Sequence, residues 1–107
     1  MYFNKSLLLI ISIIYLISFI QTALSQCVCD DPVDPSAETV TVTSSIGVNI
    51  RDQPCVAKKV GSLAQGAKFS PTRDCLGQCV EGSKTWLQVN DGFIWAGATD
   101  YPFKISC

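Results

Sequence analysis

Between Thr39 and Gly97, apolar and polar positions alternate in short runs punctuated by Gly, Pro, Asn and Ser. Thr39-Val40-Thr41-Val42-Thr43 alternates strictly and is β-branched throughout, the pattern of a half-buried strand. After Ser44-Ser45 the alternation resumes in Ile46-Gly47-Val48-Asn49-Ile50-Arg51, which places Ile46, Val48 and Ile50 inward and Asn49 and Arg51 outward. Asp52-Gln53-Pro54-Cys55 predicts a turn, Lys59–Leu63 a short strand, and Gln65-Gly66 a second turn. Lys68–Thr72 predicts a strand that Pro71 confines to an edge or an end. Thr85–Val89 and Phe93–Ala96 form a hairpin pattern joined by Asn90-Asp91-Gly92 and stopped by Gly97. Cys75–Cys79 and Glu81–Ser83 lack alternation and read as a loop held shut by bridges. No helical period extends over ten residues beyond the first 25, so the class is all-β. At this length a small β-barrel of five to six short strands is the economical architecture.

The N-terminus has a different pattern. Met1–Lys5 carries one positive charge, and Ser6–Ile20 is almost wholly apolar. Ala23 and Ser25 then stand at the spacing signal peptidase accepts. This layout predicts a signal peptide over residues 1–25, because the apolar run falls short of the roughly 20 residues a spanning helix needs. The expected product is a secreted chain of about 82 residues, with no membrane anchor after cleavage. Residues 26–38 hold three aspartates and two prolines and read as an irregular acidic arm, which leaves 39–107 as the domain.

Without Lys5, seven basic side chains face nine acidic ones, for a net charge of −2. Lys58-Lys59 is the only basic pair, and no basic stripe supports a nucleic-acid partner. All six cysteines (Cys27, Cys29, Cys55, Cys75, Cys79 and Cys107) fall in the exported part. An even count in a short exported chain predicts disulfides. Zinc is disfavoured, since the Cys-x-x-Cys spacing and histidine that its sites use are both missing. Six cysteines allow 15 pairings, and the spacing does not choose among them. Cys107 is expected to return to the arm.

The absence of histidine removes Ser-His and Cys-His nucleophiles. The carboxylates lie nearly all in turns or in the arm, where solvent keeps a hydrolytic pair from being tuned. No enzyme, metal or cofactor is expected, and a monomer is the simplest assembly. The remaining candidates are aromatic. Phe93 and Trp95 share a face opposite Ile94, with Tyr101 expected beside them, and surface rings of this kind mark recognition. Trp86 lies on the strand whose Leu87 and Val89 face the core, so its ring serves either packing or a groove. Asn49 and Arg51 flank a tight turn and serve either loop backbone or a ligand.

The order of these pieces resembles the bacterial-type SH3-like domain. The residues that carry the likeness are Val48-Asn49-Ile50-Arg51-Asp52-Gln53-Pro54, Lys59-Val60-Gly61-Ser62-Leu63, Gln65-Gly66-Ala67-Lys68-Phe69, Trp86-Leu87-Gln88-Val89 and Gly92-Phe93-Ile94. Gln53 replaces a preferred glycine, and Phe93 a preferred tryptophan. The resemblance spans about Thr39 to Tyr101. It implies an SH3-like barrel and a non-catalytic binding module for bacterial cell-wall peptide or glycan. Trp95, Phe93 and Trp86 would stack on the ligand while Asn49, Arg51 or Asp100 hydrogen-bond it. The rival expectation is a secreted inhibitor of a foreign protease or lysozyme, with the Cys75–Cys79 loop and Leu76 as its reactive element.

Overall fold

A computed structural model describes residues 27–107; the expected signal peptide lies outside the described residues. The described residues form eight strands and one 3-10 turn. They are β1 (Asp30–Val33), β2 (Val40–Thr41), β3 (Val48–Arg51), β4 (Lys59–Leu63), β5 (Lys68–Phe69), β6 (Arg73–Val80), β7 (Ser83–Val89) and β8 (Gly92–Trp95), followed by the 3-10 turn Ala96–Ala98. The class is all-β. Six strands form one antiparallel sheet in the order β1-β6-β7-β8-β3-β4, and β2 pairs with β5 as a separate two-stranded ribbon. The sheet ends in two edges, β1 and β4, rather than closing on itself.

Alternation sets the faces of the central strands. Leu87 pairs with Ile94 and Ile50 with Ile94, so these three side chains share the inner face. The β2–β5 ribbon lies over that face, and Val40, Leu87, Ala96 and Tyr101 form the core, with Phe69 and Ala37 packed against it. Backbone bonds tie the chain just past β2 to both flanks. Val42 N–H donates to Ala67 O at 2.9 Å, and Thr43 N–H to Ala98 O at 2.9 Å.

Four expectations are corrected. The arm is not irregular throughout, because Asp30–Val33 pairs with β6 as an edge strand. Pro32 is tolerated there, since an edge strand need not donate on its free side. The Cys75–Cys79 segment is not a loop but lies within β6, with Cys75 paired to Trp86 and Leu76 to Thr85. β-propensity depends on neighbours more than on composition, and β1 and β7 supply ladder partners that local pattern does not reveal. A register irregularity between Leu76 and Val80 absorbs the unpatterned Gly77-Gln78-Cys79. Ile46, expected inward, stands 94 % exposed at a turn tip closed by Gly47 N–H on Ser44 O at 3.0 Å. Cys107 bridges Cys79 rather than the arm.

The other two bridges are Cys27–Cys55 and Cys29–Cys75. Both tie the arm to the body, and neither links Cys75 with Cys79. The bridged residues lie 28, 46 and 28 apart in sequence, so chain entropy assigns each bridge about 3.5–4 kcal/mol. A domain of this size has little core to spare, and such cross-links supply much of its net stability. Three disulfides fit an oxidising extracellular setting. Among the described residues no helix is long and apolar enough to cross a membrane.

Candidate functional site

The outer face of the sheet carries the cleft. Trp86 and Trp95 are direct cross-strand partners, which puts both indoles on the face opposite Leu87 and Ile94. Arg51 pairs with Phe93 on the same side. Trp86 is nevertheless only 2 % exposed, so the sheet is buried on both faces at this position.

The cover over Trp86 is the loop between β3 and β4, and four contacts clamp it. Gln78 N–H donates to Pro54 O at 2.9 Å, and Val56 N–H donates to the Gln78 Oε1 at 2.7 Å. Asp52 N–H closes the loop on Lys58 O at 3.0 Å, and Cys55 is bridged to Cys27. The approach is so close that a Cβ on Gly77 would lie 2.7 Å from Pro54 Cβ and 2.8 Å from Trp86 Cδ1. Glycine at 77 is therefore what lets β6 run beneath Pro54 and beside the Trp86 ring. Trp86 Nε1 donates to Gln78 O at 2.9 Å, which locks the indole in its plane.

Trp95 is held in a similar way. Its Nε1 donates to Ser83 O at 3.1 Å, and its six-membered ring lies directly across Gly97, where any Cβ would overlap it. Each indole N–H is consumed internally, and with Trp86 covered it is the half-buried Trp95 ring that offers apolar surface rather than a donor.

A cleft of about 220 Å³ lies over these rings. Its walls are the 44–47 turn with Ile46, the 52–58 loop with Val56, and the β6–β7 hairpin tip with Val80 and Glu81. Ile46 and Val56 are the aliphatic lips, 94 % and 60 % exposed. Asn49 and Arg51 line it as well. Arg51 Nη1 donates to Ala57 O at 2.9 Å, so one donor of its fork steadies the loop while the side chain lines the cleft.

Of the six candidate residues, Trp86, Trp95, Asn49 and Arg51 come together here. Phe93 shares the outer face and is half-buried but does not line the cleft. Tyr101 is a correction. It is 2 % exposed in the core, beneath the sheet, where its hydroxyl donates to the Asp74 carboxylate and accepts Ser36 N–H at 3.0 Å. Burial, and then the bond to Asp74, push the Tyr101 phenol above its ordinary pKa. Asp100 also serves the backbone, as its carboxylate accepts Thr41 N–H at 2.8 Å.

Sequence reasoning missed Ile46, Val56, Val80 and Glu81. The Ser44-Ser45-Ile46-Gly47 order held the clue, since serines before a glycine mark a turn and a turn tip points outward. Among the described residues no cluster of His, Cys, Asp and Glu could hold a metal ion. No protein-family description, curated protein or solved structure matches this chain.

Proposed function

We propose that the chain is an exported recognition module without catalytic activity, built on an SH3-like barrel, and that the tryptophan cleft binds bacterial cell-wall peptide or glycan. The observation that carries this reading is the half-buried Trp95 ring, backed by its covered cross-strand partner Trp86, under aliphatic lips with Asn49 and Arg51 at the margin. Locked rings lose little entropy when a ligand settles on them, and flat apolar faces beside a few fixed donors suit sugar rings and peptide bonds alike. The motif order supports the barrel, since the resembling segments fall on β3, β4, β5, β7 and β8 in sequence.

Co-sedimentation with purified peptidoglycan tests it. The disulfide-bonded protein is expected to pellet with the polymer. Trp95→Ala is expected to weaken binding at least about tenfold, as truncating a central tryptophan anchor does. Tyr101→Phe, on the core side, is expected to bind like the parent. Binding no greater than that of an unrelated protein of similar charge overturns the reading.

A further inference from the structure

The inner face holds a second cavity that the tryptophan cleft does not reach. β5 ends after two residues at Phe69, and the chain leaves through Ser70-Pro71 toward β6. The β2–β5 ribbon therefore covers the inner face over Leu87 but stops short of its far end. Ile50, Leu63, Phe69, Val89 and Ile94 are left around a cavity of about 340 Å³. Only Ile94 of these five is fully buried, and the other four are half-buried. The concavity opens to solvent past the exposed Ser70, Asn90 and Asp91. A dry apolar cavity of about 150 Å³ already holds one benzene ring.

The mouth is polar and carries one sign of charge. Ser70, Asn90 and Asp91 complete the lining, and all three are exposed. Asp91 is the only ionisable group in the lining, so the cavity pairs an apolar interior with an anionic, acceptor-rich rim. Concavities with apolar walls and a few converging polar groups are a recurrent form of small-molecule site.

We infer that this cavity is a ligand site distinct from the tryptophan cleft, and that it takes small primary amines with an apolar body. The alkyl or aryl portion fills the space between Ile50, Leu63, Val89 and Ile94, while the ammonium stays at the rim against the Asp91 carboxylate and the Asn90 carbonyl oxygen. An anionic head of the same shape meets like charge. The two sites lie back to back on β3 and β8, since Ile50 and Ile94 face the cavity while Arg51 and Trp95 face the cleft.

The test is methyl NMR on the disulfide-bonded protein with three probes of matched body, namely 2-phenylethylamine, ethylbenzene and phenylacetate. The amine is expected to shift the Ile50, Leu63, Val89 and Ile94 methyls saturably and to bind more tightly than phenylacetate. Asp91→Asn is expected to weaken the amine about two- to fivefold, the range of a solvent-exposed ion pair, and to leave ethylbenzene unchanged. Leu63→Phe and, as a milder filling, Val89→Leu are each expected to weaken all three probes while Trp86 fluorescence stays native. The inference is overturned if no probe shifts the Ile50 and Ile94 methyls. It is equally overturned if phenylacetate binds as well as the amine, or if both filled variants, natively folded, bind the amine like the parent.

Discussion

Replacing Gly77 by alanine isolates the contact that buries Trp86 on the outer face of the sheet. Gly77 sits within β6 and its φ is not positive, so the substitution carries no left-handed strain. Propensity alone would favour it, because alanine in a strand interior is preferred to glycine by about 0.5–1 kcal/mol. Packing opposes it. The new methyl would meet Pro54 O, Pro54 Cβ at 2.7 Å and Trp86 Cδ1 at 2.8 Å, and the first of these is backbone fixed by the Gln78 N–H bond. To make room, the 52–58 loop must lift, which loosens the bonds Gln78 makes to Pro54, Val56 and Trp86. Overpacking of this kind costs about 1–3 kcal/mol. Weakening two or three hydrogen bonds adds about 1 kcal/mol each. A net loss of about 3 kcal/mol follows after propensity is subtracted, or about 12–24 °C in Tm for a domain of this length. The assay is guanidinium unfolding of the oxidised protein followed by tryptophan emission, with Gly82→Ala as the reference. Gly82 has open space around its Cβ position and suffers only from its φ of 85°, for a cost of about 1 kcal/mol. A Gly77→Ala loss no larger than the reference, with native emission, would refute the account of how Trp86 is covered.

Three further outcomes follow from the same geometry. Gly97→Ala should displace the Trp95 ring that lies across it, red-shifting the emission and weakening peptidoglycan co-sedimentation about as much as Trp95→Ala does. Tyr101→Phe should cost about 1–2 kcal/mol, since it leaves the Asp74 carboxylate and Ser36 N–H without their shared partner. The raised Tyr101 pKa means that the native state holds the phenol proton more tightly than the unfolded chain. Its contribution is complete below the unfolded value of about 10 and is lost as pH rises through the higher folded value, so parent stability should fall above about pH 10 more steeply than that of Tyr101→Phe. Removing the Cys79–Cys107 bridge by paired alanines should cost about 3.5 kcal/mol by chain entropy. Because the tail also pairs through Ile105 O on Lys84 N–H at 3.0 Å, amide exchange at Lys84 should accelerate in that variant.

Strand positions that rest on local alternation were legible from the chain alone. Lys59–Leu63, the Thr85–Val89 run and the turn before Phe93 all stand where the pattern puts them, and Leu87 and Ile94 face the core. The same alternation placed Phe93 and Trp95 opposite Ile94, because period two is a property of the extended backbone itself. A third of the cleft lining was legible on that basis, through Trp86, Trp95, Asn49 and Arg51. Its aliphatic lips were not, because a turn tip breaks the period from which Ile46 was assigned inward.

The primary structure by itself determined an all-β chain of short strands with the faces of its Thr85–Trp95 hairpin set, and six cysteines free to pair in many ways. Tertiary structure decided which cysteines meet, that β6 is a strand at all, and that Trp86 is covered while Tyr101 supports the core. Those outcomes depend on partners far along the chain, such as β1 for Leu76, Pro54 for Trp86 and Asp74 for Tyr101. Side-chain alternation is inherited from neighbours one bond away, whereas ladder pairing and burial on a second face require the rest of the fold to have arrived.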